Sequence, residues 1–223
     1  MERPLTLRIK RTSRFQDGES VGRYWQEFLV NVSEDDYALD ALEAAWKQDP
    51  SLMFRHSCHH ASCGSCGMLI QGRERLACIT PAFDVDRHGV LHLEPLHNFP
   101  IIADLVVDMG SLTQKLERVK AKVITERGNA QRFESCIECG LCISACPISA
   151  TNENYLGPAV LAAVRDNIAS PEVRQQAGSR DGVWRCHSAF ECTEVCPAAV
   201  DPAAAIIQLR KDLLKSTILR KGM

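Results

Sequence analysis

The chain has 223 residues, 45% of them hydrophobic and 24% charged, with a formal net charge of −2. These values are ordinary for a soluble globular protein of one large or two small domains, and so small a charge gives no general case for nucleic-acid binding. The longest apolar runs, "PAVLAAV" and "PAAAII", fall far short of the ~20 residues a membrane helix needs. The N-terminus, "MERPLTLRIKR", has basic residues but no apolar h-region and no cleavage site, so it does not read as a secretory signal, and a bacterial cytoplasmic origin is the expectation.

In chain order, Leu5, Leu7 and Ile9 alternate, as do Phe28, Val30 and Val32, which predicts two strands. "QDGES" between them has turn chemistry and predicts a hairpin with a longer loop. Residues 36–48 carry Leu39, Leu42 and Trp46 at helical spacing, with Asp36 as N-cap and Pro50 ending the pattern. "GMLIQG" and "VLHLEP" supply further short strands. Strand, strand, helix, cysteine loop and strands is the order of a β-grasp ferredoxin. From about residue 101 the pattern turns helical: Leu105, Met109, Leu112, Leu116, Val119 and Val123 form one apolar stripe. Further helices are expected over 158–168 and 202–219, and "HNFPII" is the expected seam between domains. Trp25, Trp46 and Trp184 are expected to be packing residues. Arg210, Lys211, Lys215, Arg220 and Lys221 read as a solvated helix face, or as one lying against an anionic surface.

The chemistry lies in eleven cysteines. Their number is odd and they cluster at short spacings, which suits converging metal ligands better than disulfides. Cys58, Cys63 and Cys66 form C-x4-C-x2-C, and Cys78 follows after 11 residues. This is the plant-type arrangement for a 2Fe–2S cluster. Gly64 and Gly67 let the loop fold tightly, leaving N–H groups free to approach sulfur. Four thiolates also suit zinc, but zinc sites favour paired C-x2-C knuckles.

The later cysteines form two runs. Cys136, Cys139, Cys142 and Cys146-Pro147 match C-x2-C-x2-C-x3-C-P, in which the fourth cysteine ligates the other cluster of a two-cluster ferredoxin. On the same template Cys186, Cys192 and Cys196-Pro197 occupy positions one, three and four, and position two is Ala189. The exchange rule assigns Cys136, Cys139, Cys142 and Cys196 to a 4Fe–4S cluster. It leaves Cys146, Cys186 and Cys192 for a cluster one ligand short, which suits 3Fe–4S. Two alternatives stay open: a hydroxide or another side chain holding a fourth iron at position 189, or ligation by His187. The expected fold class is therefore α+β, with residues 1–100 a β-grasp plant-type 2Fe–2S domain and residues 101–223 an all-α bacterial-ferredoxin-like domain for the 4Fe–4S and 3Fe–4S clusters.

"DPSLMFRHSC", "CGSCGM", "LACITP", "DLVVDMG", "YLGPAVLAA", "WRCHSAFECTEVCP" and "VDPAAAI" stand in an order and spacing that resemble the iron–sulfur subunits of succinate dehydrogenase and fumarate reductase. The resemblance covers nearly the whole chain. It implies a respiratory complex of the tricarboxylic acid cycle on the cytoplasmic face of a bacterial inner membrane. Its partners would be an FAD flavoprotein and one or two transmembrane anchor subunits carrying quinone and often haem b. The implied electron route is FAD, 2Fe–2S, 4Fe–4S, 3Fe–4S, quinone. Carbon chemistry would belong to the flavoprotein, so no catalytic residue is expected here. No G-x-G-x-x-G or Walker motif indicates a nucleotide site in this chain. Pro147 and His187 would lie near the quinone, His187 also serving as a possible proton relay or contact to a haem propionate. Ubiquinone-reducing relatives carry adjacent tryptophans shortly after the C-P pair, where this sequence has Ala150 and Thr151. That departure favours menaquinone. The residues leave the net direction, succinate oxidation or fumarate reduction, to the quinone pool.

Three other functions compete. A soluble ferredoxin-like carrier would have less use for an interrupted second run. An iron–sulfur subunit linked to thiol/disulfide chemistry would carry additional cysteine-rich repeats downstream, which this sequence does not show. A zinc-stapled interaction module would hold zinc without acid-labile sulfide.

Overall fold

The structure is a computed structural model and describes residues 2–12, 22–86, 88–119, 136–167 and 170–221. The chain divides into two compact units, 1–108 and 109–223. The seam expected after residue 100 differs from this division by a short hairpin.

In the first unit, β1 (Glu2–Thr12) and β2 (Arg23–Ser33) pair antiparallel with Leu7 opposite Phe28. The loop carrying "QDGES" lies outside the described residues. Helix α1 (Ala38–Gln48) follows, then β3 (Gly67–Ile70), β4 (Arg73–Leu76), a 3-10 turn at Ala77–Ile79 and β5 (Val90–Glu94). The sheet order is β2-β1-β5-β3-β4, with β1 parallel to β5 and the other pairs antiparallel. Leu5, Leu7 and Ile9 point inward with Leu91 and Leu93, and Leu39, Leu42 and Ala45 of α1 are buried too. Period-two alternation on the strands and a three-to-four step on the helix thus build one apolar core.

Asp36 does not cap α1: its carboxylate accepts the Ser33 N–H at 2.7 Å, and the N-cap is Tyr37, whose N–H donates to Asp40 at 2.8 Å. The strand β4 was not marked by alternation, because "RERL" carries too few apolar residues. Trp46 is 45% exposed and Trp184 46% exposed, so neither is the packing residue expected. Trp25 lies beneath Lys10, 4.5 Å from its ring centroid.

Arg11 continues the inward register of Leu5, Leu7 and Ile9, yet it is a charged residue only 4% exposed. Its Nε lies 3.0 Å from Asp104, and its Nη atoms reach Asp49, Gln26 and Ser51. Asp104 accepts the N–H groups of Thr12 and Met53 as well, at 2.8 and 2.9 Å. Asp104 sits between β6 (Ile101–Ala103) and β7 (Val106–Val107), the hairpin that closes this unit. The helical stripe expected from Leu105 therefore begins later. Helix α2 spans Gly110–Arg118, burying Leu112 and Leu116, and Val123 lies outside the described residues.

The described part of the second unit contains helices and no strand. After α2 come α3 (Leu141–Ser144), α4 (Pro158–Asn167), α5 (Pro171–Ala177), a 3-10 turn at Val183–Arg185, α6 (Glu191–Glu194) and α7 (Pro202–Lys221). Both α4 and α7 open on proline, whose missing N–H costs nothing at a helix start. They pack through Val160, Leu161 and Val164 against a face that includes Ala205, Ile206 and Leu209, all buried. This pair is the floor beneath the cysteine loops.

Candidate iron–sulfur sites

The first four cysteines lie on the loop between α1 and β3 and on the 3-10 turn after β4. Cys66 and Cys78 are each 3% exposed, while Cys58 and Cys63 are partly exposed. The Ala61 N–H donates to Cys78 Sγ and the Ser62 N–H to Cys58 Sγ, both at 3.3 Å. His59, Ala61 and Gly64 all have φ near +60 to +71°, which curls the loop so that its amides face the thiols. The Cys58 thiol is lowered to about 5, chiefly by the backbone N–H of His60. Cys66 is pushed up to about 12 by burial. Arg55, whose own charge is disfavoured by burial, sits in electrostatic contact with Cys66.

In the second unit the two cysteine runs repeat one backbone course. Glu138 (φ 54°) and Gly140 (φ 80°) have their counterparts in Ser188 (φ 57°) and Phe190 (φ 66°). Ile143 N–H donates to Gly140 O at 3.0 Å, and Thr193 N–H to Phe190 O at 2.9 Å. Ala145 N–H to Leu141 O is matched by Val195 N–H to Glu191 O, and Cys146 to Ile143 by Cys196 to Thr193. In this register Ala189 holds the place of Cys139.

The thiols then gather across the runs. One partly open cavity is lined by Cys136, Cys139, Cys142 and Cys196. A second is lined by Cys146, Cys186 and Cys192. The fourth cysteine of each run thus lines the other run's cavity. Pro147 and His187, both exposed, line the second cavity together with Ala189 and Phe190.

The chemistry of these donor sets fits iron–sulfur clusters. All eleven cysteines are free of disulfides. Burial first, then neighbouring thiols, pushes Cys139 and Cys192 up to about 11 and Cys142 well above its ordinary range. Thiols crowded in so dry a place cannot all ionise unless a cationic centre compensates them, and bound metal supplies that charge. Cys136, Cys139, Cys142 and Cys196 are placed to hold one iron–sulfur centre, and Cys146, Cys186 and Cys192 to hold a second.

Tyr155, which sequence reasoning did not single out, lines the second cavity, and Arg210 and Lys115 bind main chain beside it. Arg210 is no solvated tail residue: its guanidinium donates to Val183 O at 2.8 and 3.0 Å, to Ser188 Oγ at 3.2 Å and to Cys186 O. Lys115 of α2 donates to the carbonyls of Glu153 and Tyr155 at 2.7 and 2.8 Å. Tyr155, 1% exposed, lines the cavity itself. Only the phrase "YLGPAVLAA" pointed near Tyr155, and the even spread of basic residues in the tail hid Arg210.

Comparison with known proteins decides the family. The family profile described as "2Fe-2S iron-sulfur cluster binding domain" matches residues 6–114, and that described as "4Fe-4S dicluster domain" matches residues 132–200. The fumarate reductase iron-sulfur subunit of Haemophilus influenzae is 36% identical, over 79% of this chain and 82% of its own length. The chain belongs to the family of iron–sulfur subunits of succinate dehydrogenase and fumarate reductase. The succinate dehydrogenase iron-sulfur subunit of Coxiella burnetii is 33% identical over 92% of this chain and 96% of its own. A chain of the Mycobacterium smegmatis Sdh1 complex shares the fold, with a TM-score of 0.81 at 24% identity over 97% of this chain and 98% of that one. The α+β class, a ferredoxin-type 2Fe–2S domain followed by a helical dicluster domain, is that of the family. Its members are subunits of oxidoreductases. No helix among the described residues is long and apolar enough to cross a membrane.

Proposed function

We propose that this chain is the electron-conducting subunit of a membrane-bound succinate:quinone oxidoreductase. It takes electrons from an FAD-bearing flavoprotein and passes them through 2Fe–2S, 4Fe–4S and 3Fe–4S clusters to quinone. The clusters supply one-electron carriage; everything else is the work of the chain. Cys58, Cys63, Cys66 and Cys78 hold the first cluster, with the amides of Ala61 and Ser62 directed at sulfur. Cys136, Cys139, Cys142 and Cys196 hold the second, and Cys146, Cys186 and Cys192 the third. The observation that carries the reading is the second cavity: three thiols, with alanine where the repeated backbone would set a fourth.

Pro147 and His187 stand at the rim of that cavity, where a quinone would approach and His187 would relay its protons. Ala150 and Thr151, both exposed, stand where ubiquinone-reducing relatives carry adjacent tryptophans, and that departure supports menaquinone over ubiquinone. One or two anchor subunits, with haem b, hold the complex to the cytoplasmic face of the bacterial membrane. The two compact units follow the cluster types, 2Fe–2S in residues 1–108 and the other two in 109–223. The same residues serve the reverse reaction, quinol:fumarate reduction, and the relatives carry both names.

The test is low-temperature EPR of the air-oxidised complex with iron and acid-labile sulfide measured together. An oxidised 3Fe–4S signal is expected. Full iron and sulfide without that signal would overturn the three-thiol assignment, and zinc in place of iron would overturn the reading as a whole.

A further inference from the structure

Tyr155 presents a physical problem that the ligand assignment alone does not solve. Its side chain is among the largest fully buried ones, at 1% exposure, and among the described residues its hydroxyl has no oxygen or nitrogen partner, the Cys186 thiol being the polar side chain within its reach. Leaving a buried hydroxyl unpaired costs about 1–3 kcal/mol. Native structures keep few such groups, and each calls for a reason.

The surroundings supply one. Tyr155 lines the three-thiol cavity, and the polar groups that act on its hydroxyl are the thiols of Cys186, Cys146 and Cys192. Its backbone is fixed from both sides. Lys115 Nζ donates to Tyr155 O at 2.8 Å, Tyr155 N–H donates to Asn152 O at 3.2 Å, and the next amide, Leu156 N–H, donates to Asp181 O at 2.9 Å. The backbone is thereby held, and a ring buried to this degree has no open side toward which to turn its hydroxyl. A phenol is a protonated donor at neutral pH, so the hydroxyl has a hydrogen to give.

We propose that the Tyr155 hydroxyl donates a hydrogen bond to a sulfur of the cluster held by Cys146, Cys186 and Cys192, and thereby raises that centre's reduction potential. The inference rests on the cluster reading above. A sulfur gains negative charge when the cluster accepts an electron, so a donor aimed at it stabilises the reduced state more than the oxidised one. Hydrogen bonds to cluster sulfur are among the recognised levers on potential. Tyr155 neither ligates iron nor touches quinone; it acts on the cluster's sulfur alone.

The experiment is a redox titration of the isolated complex, followed by the oxidised 3Fe–4S EPR signal, comparing the parent protein with Tyr155→Phe. Phenylalanine keeps the ring and removes only the donor. At the potential where the parent centre is half reduced, the variant is expected to show an oxidised-to-reduced ratio three- to tenfold higher. A tenfold change corresponds to 59 mV for a one-electron couple. Iron and sulfide content and the potentials of the other two clusters should not move. An unchanged ratio with the signal intact would overturn the proposal, whereas a parent complex that lacks the signal would overturn the cluster reading instead. Should Tyr155→Phe fail to retain its iron, 3-fluorotyrosine at position 155 decides the matter. It is a stronger donor of nearly the same shape, so the ratio must fall, and a ratio unmoved by fluorination would refute the hydrogen bond.

Discussion

Arg210 clamps the loop that carries Cys186, and replacing it tests whether the three-thiol site has a local support separable from the rest of the fold. Arg210→Met keeps the aliphatic stem and removes the fork. The fork donates to Val183 O through two nitrogens, to Cys186 O and to Ser188 Oγ. Hydrogen bonds from a charged donor contribute about 1.5–3 kcal/mol each. The side chain is only part-buried, so water would replace some of what is lost. Counting the two carbonyls and discounting for that replacement leaves about 2–3 kcal/mol. If loop opening becomes easier by this amount, the opened population rises about 30- to 150-fold, since each 1.4 kcal/mol is a factor of ten. The assay is the decay of the oxidised 3Fe–4S signal in the complex exposed to an iron chelator, with the 2Fe–2S signal of chemically reduced aliquots as the control. The three-iron signal should decay about 30-fold faster or more while the 2Fe–2S signal keeps its parent rate. Arg210→Lys should recover only part, because an ammonium cannot reproduce the planar fork. A decay rate within twofold of the parent would refute the clamp. Equal acceleration at both clusters would show that Arg210 supports the whole subunit, not this loop.

Ala189→Cys places a thiol where the first run has Cys139; the oxidised 3Fe–4S signal should disappear and metal analysis should find one more iron per chain, while persistence of the signal would mean that the backbone repeat does not carry over to side-chain direction. Arg11→Met strands Asp104 in a nearly dry site, both partners being 5% exposed or less, and should destabilise the first unit by about 3–5 kcal/mol. Adding Asp104→Asn should recover part of that loss, and a double-mutant cycle showing simple additivity would refute the coupling. Phe190 holds φ 66°, a conformation costing a bulky residue about 1–2 kcal/mol, at the place where the first run has Gly140. Phe190→Gly should leave stability equal or higher but raise the KM for quinone several-fold; lower stability with an unchanged KM would make Phe190 a packing residue only.

The cysteines were legible because ligand spacing is a local property: a loop of two or three residues either brings thiols to one point or does not. The same holds for β1, β2 and α1, whose apolar periods are written in consecutive residues. What escaped was long-range or disguised. Arg11 lies in the inward register of Leu5, Leu7 and Ile9, and nothing nearby in sequence announces that Asp104 and Asp49 will meet it. The apolar letters of 101–107 fit a helical stripe equally well, and the Thr12 and Met53 amides on Asp104 are what hold that stretch as a hairpin. Arg210 belongs to a tail rich in basic residues, and only the returning Val183–Ser188 loop gives it a separate role. In each case a polar group found its partner from a distant part of the chain, which periodicity does not encode.

The exchange of fourth cysteines has a structural consequence beyond ligand count. Cys196 closes the cavity of the first run, and Cys146 closes that of the second, so each cavity is built from both runs. Neither loop can open alone without withdrawing a thiol from both centres. The short helices α3 and α6 pack against each other, each preceded by a residue in the left-handed region and each ending two residues before the cysteine that crosses over. A chain that moves electrons between two centres needs their separation fixed and short, and crossing the ligands achieves this with two four-residue helices in place of a larger scaffold. On the proposed assignment, alanine at position 189 leaves the second centre one thiol short while every crossing ligand stays in place. Position 189 is one of three in its run that would serve only their own loop's cavity, so the crossing survives the interruption.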